Sequence, residues 1–239
     1  MHDFTEYMKL DPLFRKNAHY MMTFSMEYAY SENYILVLSH DEVVHLKCSM
    51  LNKMPGLGFD KFANLKVAYA FMMGHPGKKL LFMGQDFAQL REWSEERELD
   101  WYLLAEQSHQ QIQNWVQELL HLYRKNKALY EMDTEEEGFA WINKDDIFRS
   151  IFSFVRYSRD KKKNLLFVCN FTPMEREDYR VGVPRGKQYK LILNSDDERY
   201  GGKGEARPLI YKAVKKECDG QKYSFAYPLP PYGVAVFEF

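Results

Sequence analysis

Cysteine is scarce in this sequence of 239 residues, which contains only Cys48, Cys169 and Cys218. The three stand far apart and form neither a CxxC pair nor the even set of a disulfide framework, so we expect reduced thiols and a cytoplasmic protein. The seven histidines are scattered as well, and His40 and His45 have a spacing that matches no zinc-site pattern. We therefore expect no metal site.

Long apolar runs and an excess of charge are also missing. No stretch approaches the roughly 18 consecutive apolar residues of a membrane span, and residues 1–9 lack the apolar core of a signal peptide. The 33 Lys and Arg residues nearly balance the 34 Asp and Glu residues. This balance gives no reason to expect nucleic acid or a membrane as a partner.

An apolar run followed at once by polar residues is the main feature of the first half. Five apolar residues, Tyr34–Leu38, predict a strand that is buried on both faces, as in a parallel sheet covered by helices. The run ends in Ser39–His45, and catalytic side chains gather at the carboxyl ends of such strands. His40 and Asp41 are therefore candidate site residues. The alternative is that Asp41 caps the next helix and His40 lies in a loop.

A helix and a second strand follow. Apolar residues at helical spacing predict a helix over 62–73, which Gly74, Pro76 and Gly77 end. The run Lys79–Met83 predicts a second buried strand, which gives a right-handed βαβ unit of a parallel sheet. The loop 84–108 is long enough to suggest function, and an amphipathic helix over 112–123 follows it.

The second half has the pattern of an antiparallel β protein. An acidic segment, residues 131–137, separates it from the first half, and we expect the domain boundary there, between 1–134 and 135–239. Short β-like runs divided by Gly, Pro, Asp and Asn turns predict an antiparallel β-sandwich. These runs are Ile151–Tyr157, Asn164–Asn170, Gln188–Asn194, Arg207–Ala213, Lys222–Tyr227 and Tyr232–Phe239.

Several motifs carry a resemblance to a known family. The segments Ser39–His45, Pro76–Gly84, Arg91–Trp93 and Asn170–Pro173 resemble those of the 1,4-α-glucan (glycogen) branching enzymes, which are members of the α-amylase superfamily. The similarity extends over essentially the whole chain. It implies that residues 1–134 are the last two strand–helix units of a TIM (β/α)8 barrel. Residues 135–239 would then be the C-terminal β-sandwich domain.

The resemblance also implies an activity. Branching enzymes transfer a segment of α-1,4-glucan to a 6-hydroxyl, by a retaining double displacement that requires no cofactor. Asp41 would be the transition-state stabiliser, and His40, Glu42 and Trp93 would bind the glucan. The nucleophile and the acid/base would lie before Met1, so the missing N-terminal part of the same enzyme is an expected partner. We therefore expect the chain alone to be inactive.

Two positions depart from the family, and two other functions stay open. Leu46, next to His45, stands where the family commonly has glycine, and Asp86 stands where the family usually has glutamate. The first alternative is another α-amylase-superfamily enzyme, a hydrolase or a trehalose-forming enzyme. The second is a non-catalytic glucan-binding or structural fragment.

Overall fold

The computed structural model describes all 239 residues, with four α-helices, ten β-strands and short 3-10 segments. None of the helices combines the length and hydropathy that crossing a membrane requires. The helices are α1 (His2–Lys9), α2 (Met50–Lys53), α3 (Phe59–Gly74) and α4 (Gln107–Lys125). The strands are β1 (Ile35–Leu38), β2 (Lys78–Leu81), β3 (Phe139–Asp146), β4 (Ile151–Arg156), β5 (Leu165–Asn170), β6 (Arg176–Val183), β7 (Gln188–Asn194), β8 (Ile210–Lys212), β9 (Tyr223–Leu229) and β10 (Val234–Glu238).

The first half contains the predicted parallel pair of strands. β1 and β2 run parallel, in a register from Ile35 opposite Lys78 to Leu38 opposite Leu81, and α3 connects them. The prediction that both faces of these strands are buried is wrong. Ile35 is 55% exposed and Leu80 is 37% exposed, whereas Leu38 is fully buried. The physical reason is that β1 and β2 pair only with each other, so no further strands bring side chains that cover the second face of this small sheet.

The second half forms the predicted antiparallel sandwich. One sheet has six strands in the order β3-β4-β5-β10-β7-β8, and β6 pairs with β9 in a second sheet. The sequence did not indicate β3 or β6. Asn143, Lys144 and Asp145 interrupt the apolar alternation of β3, and β6 begins with the charged Arg176 and Glu177, which have low β-propensity. Pairing with β4 and β9 forms these strands despite their composition.

The six-stranded sheet is the middle layer of the molecule. Phe152, Phe154 and Phe167 point from β4 and β5 into a cluster of 37 buried residues that includes much of α3 and α4. The alternate residues, such as Val155 and Val168, point into a cluster of 17 that β6 and β9 cover. This alternation follows from the two-residue period of a strand. The larger core therefore crosses the expected boundary at residues 134/135, which stays a prediction.

Buried Arg156 connects the two halves by hydrogen bonds as well as by packing. Its Nη1 donates to the Gly74 carbonyl at the end of α3 at 2.9 Å, and its Nε donates to Gly138 O at 3.2 Å. Its Nη2 donates to Asp133 Oδ1 at 2.8 Å. The guanidinium is fully buried, and the positive charges of Arg156 and Lys79 hold the pKa of Asp133 below its usual value against the opposing effect of burial.

Two other buried cations donate to carbonyls across the same junction. Arg15 Nη1 donates to Phe171 O at 2.6 Å. Lys66, on α3, donates to Ser195 O at 3.1 Å and to Tyr200 O at 2.7 Å. Burial lowers the pKa of Lys66 to about 8. Hydrogen bonds to carbonyls replace part of the hydration that these charges lose on burial.

His75, which directly follows α3, is a neutral histidine buried in the first half of the chain. Its Nδ1 lies 3.0 Å from Pro76 O and its Nε2 lies 3.0 Å from Ser25 Oγ. Because a carbonyl only accepts, Nδ1 carries the proton and Nε2 accepts from the Ser25 hydroxyl. Burial, helped by the nearby Lys79 and Arg156 charges, lowers the pKa of His75 to about 3.

Substitution of Arg156 tests how much the junction contributes to stability. In Arg156→Met, Asp133 loses a buried charge partner and the Gly74 carbonyl loses its donor, whereas Gly138 O keeps the Tyr157 amide. We therefore expect a loss of about 3–5 kcal/mol in the free energy of unfolding in urea. Arg159→Met is the matched control, because Arg159 forms an exposed pair with Glu135 on the same connecting segment. That variant should lose at most about 1 kcal/mol. Equal losses of stability in the two variants would contradict the conclusion that the buried Arg156 contacts stabilise the junction.

The buried imidazole predicts a pH dependence of stability. The pKa of His75 is lower in the folded state than its ordinary value of 6.5, so the unfolded chain binds the extra proton and stability is lost as pH falls from about 6.5 towards about 3. The slope is about 1.4 kcal/mol per pH unit inside that window. We expect His75→Gln to show a shallower slope by this amount in urea titrations between pH 6 and 4. Parallel pH profiles of stability for the variant and the parent would show that His75 does not cause this pH dependence.

Candidate functional site

The site begins where β1 ends. Ser39 caps a 3-10 turn, His40–Glu42, with its hydroxyl accepting from the Asp41 amide at 3.2 Å. Glu42 Oε2 accepts from the Ser39 amide and, at 2.9 Å, from the Ser39 hydroxyl, which completes a capping box. The helix cap proposed for Asp41 is therefore wrong, since Ser39 caps this turn and Ser49 caps α2.

The capping box decides where the three polar side chains point. Glu42 is turned back towards Ser39, whereas His40 and Asp41 are exposed to solvent. His40 Nε2 and Asp41 Oδ1 are 3.3 Å apart. The imidazole and the carboxylate thus project together from the end of β1, where a bound molecule can reach both.

Trp93 lies beside this turn. Its backbone amide donates to Val43 O at 3.0 Å, which fixes the long loop to the segment after the turn. Its ring meets Phe82 edge to face, with centroids 5.1 Å apart, and the His40 ring lies 6.4 Å away. Aromatic surface of this kind can pack against an apolar ligand face.

A cleft of about 540 Å³ opens in front of these rings. The structure brings two of the four predicted site residues, His40 and Trp93, to its wall. Asp41 stands beside His40, and neither Asp41 nor Glu42 is part of the cleft lining. The lining residues are His40, Val44, His45, Phe82, Trp93, Ser94 and Glu95.

Gln85 supports the strand end from the neighbouring strand, and the sequence reasoning missed it. Its Nε2 donates to Leu38 O at 3.1 Å and lies 3.4 Å from Ser39 O, and Tyr69 donates to the Gln85 carbonyl. The residue is buried in the 3-10 turn Gln85–Phe87, which follows β2. The sequence did contain one indication of its role, because Gln85 follows β2 at the same edge of the sheet at which His40 follows β1. Asp86, the next residue, is half-buried.

The long loop is pinned at its base by a buried carboxylate. Arg91 Nε donates to Asp100 Oδ2 at 2.9 Å, and the hydrogen bond with Arg91 lowers the pKa of Asp100. The amide of Asp100 donates to Gln89 Oε1 at 3.1 Å. These bonds close the loop on both sides of Trp93, so the indole is held by its flanking residues.

Leu46 marks the departure from the glycine that the resembled family commonly has. Its φ is +66°, and His45 and Cys48 also have positive φ, at +56° and +65°. Glycine adopts this conformation without steric cost, whereas other residues are strained in it. The backbone therefore keeps a glycine-like conformation although the residue is leucine, whose side chain is 96% exposed.

Metal chemistry has no visible donor set here. No group of three or more His, Cys, Asp or Glu side chains is arranged to hold a metal ion. The cleft offers the imidazole of His40 for hydrogen bonding and the apolar faces of Phe82 and Trp93, and the Asp41 carboxylate beside it can accept hydrogen bonds.

Comparison with known proteins gives one consistent family. The family described as alpha amylase, C-terminal all-beta domain, matches residues 141–239. The crystal structure of alpha-amylase from H. orenii covers 99% of this chain and 47% of its own, with a TM-score of 0.57. At 15% identity this likeness supports the fold alone.

The similarity in sequence is much higher to branching enzymes. The chain is 60% identical over 239 residues to the 1,4-alpha-glucan branching enzyme GlgB of Butyrivibrio fibrisolvens, and it covers 37% of that protein. It is 47% identical over 238 residues to the enzyme of the same name from Halothermothrix orenii, of which it covers 38%. The chain therefore belongs to the family of the 1,4-α-glucan branching enzymes and spans little more than a third of the length of these relatives.

Proposed function

We propose that the cleft is one wall of the glucan site of a branching enzyme, with Asp41 as transition-state stabiliser. The observation that carries this proposal is the projection of Asp41 and His40 from the end of β1, beside the rings of Phe82 and Trp93. Glucan offers hydroxyl groups and apolar ring faces, and this wall offers partners for both.

Each side chain has a role in that proposal. The carboxylate of Asp41 accepts hydrogen bonds from sugar hydroxyls, and its negative charge favours the oxocarbenium-like transition state. His40 hydrogen-bonds the same sugar, and Trp93 stacks against a ring of the glucan. Glu42 fixes the turn through Oε2, and its Oε1 is available for a sugar hydroxyl. No cofactor takes part.

The remaining groups would come from the part of the enzyme that this chain does not include. A retaining double displacement needs a nucleophile and an acid/base about 5–5.5 Å apart, and Asp41 has the third role. We infer that the longer relatives supply this pair on other strands. Residues 1–134 would then complete a TIM barrel with those strands, and residues 135–239 would form the separate β-domain. The open edges of β1 and β2 are consistent with such a partner.

The chain alone should therefore be inactive, and its substrate in the complete enzyme should be α-1,4-glucan or glycogen. A hydrolase or a trehalose-forming enzyme would release sugars, whereas a branching enzyme makes new α-1,6 linkages. Product analysis separates these alternatives. The cytoplasmic location stays a prediction that rests on the three unpaired cysteines.

A chimera tests the proposal directly. The matching segment of the Butyrivibrio enzyme would be replaced by residues 1–239, and branching of amylose would be followed by the fall in iodine absorbance. We expect activity from the chimera, none from the chain alone, and a loss of on the order of 100-fold or more in Asp41→Asn, because one preorganised charge is removed. Activity from the chain alone would show that the reacting carboxylates are assigned wrongly.

The contribution of Trp93 is testable by glucan binding. In the same chimera, Trp93→Ala removes the stacking surface, so we expect the dissociation constant for amylose to rise roughly tenfold in affinity electrophoresis. The control is Trp101→Ala, because Trp101 is an exposed tryptophan that packs on Phe87 and does not line the cleft. The same weakening in both variants would argue against a specific role for Trp93.

A further inference from the structure

The segment between the Ser39 turn and α2 has an unusual backbone. His45, Leu46 and Cys48 all have positive φ, although none of them is glycine. Each such residue costs roughly 1–2 kcal/mol relative to the right-handed conformation. A short exposed segment keeps three of them only if specific contacts hold it. We refer to residues 44–48 as the cleft loop, since Val44 and His45 line the cleft.

A single carboxylate, that of Glu92, binds both amide groups on one side of this loop. Its Oε2 accepts from the Leu46 amide at 3.1 Å, and its Oε1 accepts from the Cys48 amide at 2.6 Å. Hydrogen bonds to a charged acceptor are stronger than those between neutral groups. Both donors belong to residues with positive φ, so Glu92 acts where the strain is.

Lys53 binds the carbonyl groups of the same loop. Its Nζ donates to Cys48 O at 3.0 Å and to Lys47 O, and the side chain is buried. Lys47 in turn donates to the Asp41 carbonyl at 2.8 Å. One anion therefore holds the amides and one cation holds the carbonyls, and the loop is also connected to the residue that the proposed chemistry uses.

We propose that Glu92 and Lys53 are positioning residues that hold the cleft loop in its strained form, so that Val44 and His45 shape the glucan-binding wall. Glu92 directly precedes Trp93, whose amide binds Val43 O. The consecutive residues Glu92 and Trp93 thus connect the cleft loop to the aromatic wall beside it. The consequence for glucan binding rests on the proposed function, whereas the holding of the loop does not.

Trypsin cleavage after Lys47 measures the loop without any assay of activity. Lys47 is exposed, so its resistance to cleavage depends on how the backbone is held. We expect Glu92→Ala to be cut there at least about tenfold faster than the parent chain, since cleavage follows the population of the open loop. Glu92→Gln keeps one acceptor oxygen and should be intermediate. Glu96→Ala, which removes an exposed carboxylate four residues away, should match the parent.

A second substitution separates a positioning role from general destabilisation. Glycine adopts positive φ without the steric cost that leucine has, so Leu46→Gly in the Glu92→Ala background should recover part of the resistance to trypsin. A loss of global stability would not be recovered by a change in the loop. Thermal unfolding of Glu92→Ala should stay close to that of the parent. If both Glu92 variants unfold globally, or if both are cut after Lys47 no faster than the Glu96→Ala control, the inference is overturned.

The chimera extends the test to the glucan wall. There Glu92→Ala should raise KM for amylose about tenfold with a smaller change in kcat, because the loop shapes a binding surface while the reacting groups are intact. Leu46→Gly should again restore part of the loss. A purely structural defect would lower the active fraction and leave KM unchanged, which would overturn the positioning role. An inactive parent chimera with loop-specific trypsin cleavage would refute the proposed function and leave the holding of the loop standing.

Discussion

The contact between the end of α3 and the six-stranded sheet is the constraint on which the rest of the structure depends. Gly74 closes the helix so near the sheet that an added Cβ would lie 2.8 Å from Phe154 and 2.9 Å from Phe167. Its carbonyl accepts from buried Arg156. Only glycine fits at this distance, and the close approach places the helix carbonyl within reach of the guanidinium. The hydrogen bond of Arg156 to Gly74 thus depends on the close packing of the helix end against the sheet.

This contact determines the position of the site because α3 connects β1 to β2. A two-stranded parallel sheet with open edges has little stability of its own. The helix that joins the strands is buried along most of its length, in the core that it shares with β4 and β5. Its Tyr69 donates to Gln85, and Gln85 donates to the last carbonyl of β1. The sheet thus holds the helix, and the helix holds the strand end from which His40 and Asp41 project.

Periodicity predicted much of this fold, and its failures have physical causes. The helix predicted over 62–73 is observed as Phe59–Gly74, and the parallel pairing of β1 with β2 is confirmed. Burial of the two strands was predicted wrongly, because apolar composition does not reveal how many neighbours a strand has. Position at a strand end made His40 and Asp41 candidates, and the structure places both in the turn after β1, while their roles stay predictions. The contacts of Gln85 and Glu92 depend on backbone groups more than 40 residues away, which no local pattern encodes.

The β-domain contributes no side chain to the cleft lining, yet it supports the site. Arg156 and Phe154 belong to β4 and contact Gly74 at the end of α3. From the same helix, Tyr69 contacts Gln85, and Gln85 contacts the last carbonyl of β1. Buried charges such as Arg156 stabilise a fold less than apolar packing of the same volume would, but they are costly to leave unpaired. Such a group therefore specifies one arrangement of the two halves. The proposed glucan site needs that specification, because Asp41 and His40 lie on one segment and Trp93 on another, and α3 holds the strand end that carries the first of them.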